Sequence, residues 1–291
     1  MTVSLPVDVL PSPDDIAFFR EHGWWISPRI LDRALIDAAA RDQQRYYAGE
    51  RDRAPAQYFP PEWNWRPENG DVLRKSDYTT LEMRALAALA MAPAISAIAA
   101  RLIGAGAIRL WHDQLLQKPV DDGRNRGRAN VGWHTDRGYW QTCTSERMLT
   151  AWIPFHDVDE AMGAMRFIDG SHRWGEQSPA LTNAFDGQDL DAAERLIASG
   201  GAELRKVPAI LAKGQVSFHD CRLIHGSGPN LGTAPRRALA VHLQDGDNRF
   251  RLHRRDATTW AWHHNDRLCR RGADGLPDYA DPAICPLTYG G

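Results

Sequence analysis

The chain is poor in cysteine, has no excess of charge and lacks a long unbroken apolar run, and each shortage removes a class of protein. Four cysteines, Cys143, Cys221, Cys269 and Cys285, are scattered through 291 residues. None forms a C-x-x-C pair, so neither a structural zinc site nor a disulfide framework is expected. Reduced thiols in a cytoplasmic protein fit this spacing. Lys and Arg number 35 against 37 Asp and Glu, a formal net charge of −2. A chain so balanced offers no basic face, and nucleic acid is not an expected partner. The most apolar stretch, 85–103, is interrupted by Pro93, Ser96 and Arg101. A membrane span needs about 18 uninterrupted apolar residues, so this stretch reads as packed helix. The first residues carry no basic segment followed by an apolar one, and no secretory signal is expected.

What is present changes character along the chain. The N-terminal third is helical in pattern, with apolar residues three and four apart over 32–46 and 81–102. Pro13, Asp14 and Asp15 open a short helix that runs through Gly23 into a strand at Trp24 and Trp25. The stretch 54–69, rich in Pro, Trp and Tyr, reads as an ordered loop. From about Ile108 short β-branched and aromatic runs appear at 108–116, 149–155, 165–168, 215–219 and 238–243. Turn residues separate them, the pattern of a β-sandwich or barrel. A helix at 189–199 interrupts the series. The expectation is one domain over 1–291: helical support at 12–105, a β-barrel at 106–245 with a helical insert near 176–205, and an extension at 246–291.

The sharpest local feature is His134 and Asp136, separated by Thr135. On a strand, residues i and i+2 share a face, so imidazole and carboxylate can reach one ion. One imidazole and one carboxylate make two-thirds of the facial triad of non-haem iron(II) oxygenases. His225 supplies a third ligand from a distant strand, within a string that ends in the glycine turn Gly226, Ser227, Gly228. The opposite face of the metal is left open for O2 and a chelating co-substrate. Arg236, with Arg237 beside it, opens the following strand. A guanidinium there suits the remote carboxylate of 2-oxoglutarate. Arg236 and Arg237 face opposite ways, so a one-residue slip in register would exchange them.

The order of these features, with Trp152 in a short strand, the string from Gly163 to Arg173, and His225 followed by Gly226, Ser227, Gly228, Pro229 and Asn230, resembles the phytanoyl-CoA dioxygenase family. The resemblance implies an α+β fold with a mainly β core: a double-stranded β-helix (jelly-roll, cupin-like) barrel on N-terminal helices. It implies Fe2+, 2-oxoglutarate and O2, with His134, Asp136 and His225 as metal ligands. Arg236 would then hold the C5 carboxylate, with Ser227 near it and Gln114 and Trp152 lining the co-substrate pocket. Because Asp136 is present, hydroxylation is implied rather than halogenation, for which the family replaces this carboxylate.

Other polar residues have plainer readings. His112, His156, His219 and His242 read as structural histidines, and His172 as a turn residue. Tyr139 and Trp140 suit either a substrate cavity or buried packing. His253, Trp260, Trp262, His263 and His264 read as a lid or substrate wall. They do not read as a metal site, because adjacent His263 and His264 would face opposite ways on a strand. The function expected is oxidation of a small molecule, with succinate and CO2 as co-products. The alternatives are a jelly-roll metal oxygenase that uses no keto acid, and a jelly-roll that binds a small ligand without turnover. Arg236 has no evident task in the first, and an intact triad argues against the second.

Overall fold

A computed structural model describes residues 9–56, 60–123, 127–175, 189–199, 201 and 203–290. Helix α1 (Pro13–His22) starts at a capping box in which Ser12 and Asp15 satisfy each other's backbone N–H groups. It ends at Gly23, whose φ of 81° turns the chain into strand β1 (Trp24–Ile26). A side chain at Gly23 is also forbidden by packing, since a Cβ would lie 2.4 Å from Nδ1 of His172. Helix α2 (Arg33–Tyr47) matches the expected 32–46. The expected helix over 81–102 is instead two helices, α3 (Arg84–Ala90) and α4 (Pro93–Ile103). Proline has no N–H to continue α3 but suits the first position of a new helix. Together Arg84–Ile103 are apolar enough for a membrane span by composition, yet most of that stretch is buried inside the protein.

Two antiparallel sheets form the jelly-roll. The larger contains β1, β8 (Ser217–Asp220), β5 (Met148–Pro154), β10 (Arg236–Asp245), β3 (Ile108–Lys118) and β11 (Leu287–Tyr289) in that order. Strand β2 (Arg74–Asp77) also pairs with β3. The smaller sheet runs β4 (Val131–His134), β9 (His225–Ser227), β6 (Arg166–Ile168) and β7 (Lys206–Pro208).

Alternation in the larger sheet divides its two faces. Leu149, Ala151 and Ile153 of β5, with Leu239, Val241 and Leu243 of β10, pack on Ile36, Leu86, Leu89, Ile95 and Ile98 of the helices. Each fully buried Leu, Ile or Val side chain among them stabilises the fold by about 1.5–3 kcal/mol. The intervening Thr150, Trp152, Ala240 and His242 therefore face the barrel interior, where they line a pocket.

Helix α5 (Leu190–Ala198) matches 189–199, but 176–188, 200 and 202 of the predicted insert lie outside the described residues. The extension 246–291 is woven into the body. Its strand β11 pairs with the start of β3, and helix α6 (Asn265–Leu268) precedes a core of Trp111, Trp140, Cys143, Cys269, Tyr279 and Cys285.

Candidate metal centre

His134 closes β4 and His225 opens β9, and the two are paired directly across the smaller sheet. Their imidazole centroids are 4.2 Å apart. The pairing is close because residue 226 is glycine: a Cβ there would stand 2.9 Å from the carbonyl oxygen of Val131. Two details depart from the sequence reading. His225 begins a strand rather than ending one, and Asp136 lies just past β4, at the start of the 3-10 turn Asp136–Gly138. Thr135 caps that turn by accepting a bond from the N–H of Gly138. The turn, not strand alternation, swings the carboxylate beside His134.

Asp136 Oδ1 is 3.9 Å from Nε2 of His134 and 3.8 Å from Nε2 of His225. One ligand atom from each residue falls within 4.8 Å of the others, and all three side chains are buried. The outer nitrogens fix the tautomers. Nδ1 of His134 donates to the Gly132 carbonyl at 2.8 Å, and Nδ1 of His225 to the Leu223 carbonyl at 2.9 Å. A carbonyl only accepts, so the proton sits on Nδ1 and each Nε2 presents a lone pair to the shared centre.

The carboxylate is oriented from behind. Thr150 Oγ1 donates to Asp136 Oδ2 at 2.5 Å and, its proton thus committed, accepts from Nδ1 of His242 at 2.7 Å. His219 Nε2 stands 3.4 Å from the same Oδ2. Burial alone would raise the Asp136 pKa, but the fields of His225, His219 and His242 outweigh it and hold the group well below the usual carboxylate range. Burial pushes His134 and His225 below the ordinary imidazole value. At neutral pH the set is two neutral imidazoles and one carboxylate, the donor set of the facial triad.

Behind the triad lies a buried cation without an anion. Arg236, only 4% exposed, donates from Nη1 to the Gly163 carbonyl at 2.8 Å and lies 5.2 Å over the Trp152 ring. Among the described residues no carboxylate pairs with it, and burial lowers its pKa to about 10. Arg237 faces outward, its backbone N–H bonded to His156, so the register places Arg236 in the pocket. Lys118 sits directly opposite Arg236 across the β3–β10 ladder and is fully buried. Its Nζ donates to Ser227 Oγ at 2.7 Å and to the Gly228 carbonyl at 2.6 Å. Burial, and then the charge of Arg236, hold its pKa well below the ordinary lysine value. An uncompensated buried charge costs several kcal/mol, so this end of the pocket is built for an anion. His134, Asp136, His225, Gln114, Trp152, Ser227 and Arg236 all line this one pocket.

The family model described as phytanoyl-CoA dioxygenase matches residues 19–238. The chain belongs to the phytanoyl-CoA dioxygenase family. It is 26% identical over 140 residues to the peroxisomal phytanoyl-CoA dioxygenase of Bos taurus, covering 48% of this chain and 40% of that protein. It is 27% identical over 198 residues to a probable α-ketoglutarate-dependent hypophosphite dioxygenase of Stutzerimonas stutzeri, covering 64% and 63%. The chain thus spans less than two-thirds of the length of either relative. Among solved structures, the α-ketoglutarate-dependent carbocyclase SnoK from nogalamycin biosynthesis superposes with a TM-score of 0.68 at 24% identity, over 95% of this chain and 96% of that one. EctD from S. alaskensis, solved with 2-oxoglutarate and 5-hydroxyectoine, superposes at 0.65 and 19%, over 86% and 82%. These likenesses establish the shared jelly-roll fold.

In this family member a second cavity, of about 310 Å³, opens on the other side of His134 and Asp136. Tyr139 and Trp140 line it, as do His112 and His242. His219 and His242 are therefore not merely structural: one faces Asp136 Oδ2 and the other holds Thr150. Thr150 and Lys118 went unread in the sequence. A signal for Thr150 was there, since it is two residues from Trp152 and strand alternation puts both on one face. Of the expected wall, Trp262, His263 and His264 line this cavity, whereas His253 and Trp260 do not. The first three lead into α6 rather than lying on a strand, so both His263 and His264 face the same cavity. Among the described residues only His134, Asp136 and His225 form a metal-binding cluster.

Proposed function

We propose that the chain is an Fe2+- and 2-oxoglutarate-dependent dioxygenase that oxidises a small molecule, hydroxylation being the simplest outcome, in secondary metabolism or small-molecule catabolism. The observation that carries this reading is the buried triad of two Nε2 lone pairs and one carboxylate, set beside a buried guanidinium that meets no carboxylate among the described residues. Nε2 of His134, Nε2 of His225 and Oδ1 of Asp136 would hold the metal. Iron(II) with 2-oxoglutarate bound would supply the oxidation, with O2 as oxidant and succinate and CO2 as co-products. Arg236 would neutralise the C5 carboxylate, with Lys118 held behind Ser227 adding positive field. Gln114 and Trp152 would flank the chain of the keto acid. Thr150 keeps Asp136 Oδ2 occupied and leaves Oδ1 for the cation. No protein acid or base is required, because the metal carries the difficult step.

The names of the S. stutzeri and bovine relatives support this reading. Residues 1–291 are taken as one catalytic domain, which the β11–β3 pairing favours. A cytoplasmic setting is favoured by four buried, unpaired cysteines. The test is anaerobic addition of Fe2+ and 2-oxoglutarate, followed by O2 and assay of succinate. The expected result is a metal-to-keto-acid charge-transfer band and then succinate. Asp136→Ala should lower both iron affinity and turnover by at least about a hundredfold, more than loss of an outer-shell partner costs. Unchanged iron content and turnover in that variant would end the proposal.

A further inference from the structure

The cavity beyond the metal centre has a wall that the family match does not include. The match ends at residue 238, whereas Arg255, Trp262, His263 and His264 all line this cavity. Its polar groups are uncharged in the main and have bonds to spare. The His112 side chain makes no hydrogen bond with any described residue, and its Nδ1 is buried without a partner. The side-chain amide of Gln114, which lines both the pocket and the cavity, makes none either. His263 Nδ1 accepts from the backbone N–H of Asn265 at 3.2 Å, so its proton resides on Nε2 as an unused donor. Burial holds His112 and His263 well below the ordinary imidazole value, so both are neutral at pH 7.

The charged groups present do not make an anion site. Lys75 Nζ stands 3.8 Å from Asp77 Oδ2, and Arg255 lies at the exposed rim, 3.5 Å from the Gln141 side chain. The contrast with Arg236, buried and unpaired, is direct. The remaining surface is flat and aromatic. His264 stacks on Trp63 with centroids 3.5 Å apart, and Trp140 meets His242 edge to face at 5.1 Å. A polar edge between aromatic faces fits a ring whose faces are apolar and whose rim carries oxygen.

Resting on the function proposed above, we propose that the primary substrate is a compact, uncharged, oxygen-rich ring compound, and that His112, Gln114 and His263 read its hydroxyl or carbonyl groups. The C-terminal segment is then the specificity element that this chain adds to the family barrel. An acyl-CoA thioester fits poorly, because its diphosphate and long alkyl chain meet neither a cationic cluster nor an apolar tunnel among the described lining residues.

The test uses the full chain loaded with Fe2+ and 2-oxoglutarate, reading substrate-stimulated succinate release. The probes are methyl glycosides, cyclitols and polyhydroxylated polycyclic aromatics, set against palmitoyl-CoA and palmitate. Stimulation by a member of the ring set is the expected result. With that probe, His263→Phe, which keeps the flat wall but removes the donor, should raise KM about tenfold, the effect of one lost hydrogen bond to a ligand. His263→Gln, which retains a donor, should restore part of it. Failure of the whole ring set, stronger stimulation by either acyl probe, or an unmoved KM in His263→Phe would overturn the proposal. Failure of the underlying oxygenase reading is distinguishable, because the charge-transfer band would then be missing from the unsubstituted protein before any probe is added.

Discussion

Arg236 is a residue at which burial and charge are out of balance. It is buried and, among the described residues, bonded only to a neutral carbonyl, so if it holds the C5 carboxylate as proposed, the ligand-free protein carries a cost that the bound dianion would remove. Two effects follow from one substitution. Arg236→Met should raise the melting temperature of the ligand-free protein, because an apolar side chain of similar length replaces an unpaired charge. The same variant should raise KM for 2-oxoglutarate at least about thirtyfold, on the order of 2 kcal/mol. Melting curves with and without the keto acid check both, since stabilisation by the ligand should vanish in the variant. A fall in the ligand-free melting temperature would mean that the guanidinium is structural. Asp136 is the opposite case. Its charge is held by surrounding imidazoles and a threonine hydroxyl, so it is poised to accept a cation without moving.

At the scale of elements, the metal centre depends on how closely β4 and β9 approach. Gly226 permits that approach, and any Cβ there would strike the Val131 carbonyl at 2.9 Å. Gly226→Ala should push β9 outward, separate His225 from His134 and weaken iron binding at least about tenfold, while the helical layer stays folded. Iron titration beside far-ultraviolet circular dichroism distinguishes local displacement from unfolding. An alanine variant with full iron affinity would show that the strands have slack. Much of this layer was legible beforehand. Strands near 108–116, 149–155 and 238–243 follow from alternation, since one face is buried against helices and the other lines the barrel. The break at Pro93 was visible as a residue but not weighed against the apolar periodicity around it. The turn at Asp136 was hidden because a His-x-Asp spacing suits a strand and a capped turn alike.

At the scale of the whole molecule, buried histidines dominate the acid response. His242 and His264 are pushed down to about 4 by burial, and His112, His225 and His263 well below their ordinary value. Each of these binds a proton more readily unfolded than folded. Stability is therefore full above the unfolded value near 6.5 and is lost as pH falls toward the folded values. Asp113, raised to about 6, and Asp266, also raised, both mainly by burial, act in the opposite sense, but the buried imidazoles outnumber them. The ligand-free protein should lose denaturation midpoint steadily from pH 7 to pH 4.5. A flat profile would contradict the burial of these imidazoles.

The sequence by itself determined the candidate ligands His134, Asp136 and His225 in their order, and the barrel, because strand alternation is written two residues at a time. It also carried Arg236, though not the choice against Arg237, since register depends on what β10 packs against. Only the tertiary structure decided that Lys118 stands opposite Arg236, that His219 and His242 serve the carboxylate, and that the C-terminal segment walls the second cavity. Those relations join positions far apart in the chain, and no local pattern records them; they exist once burial forces distant strands to share one interior.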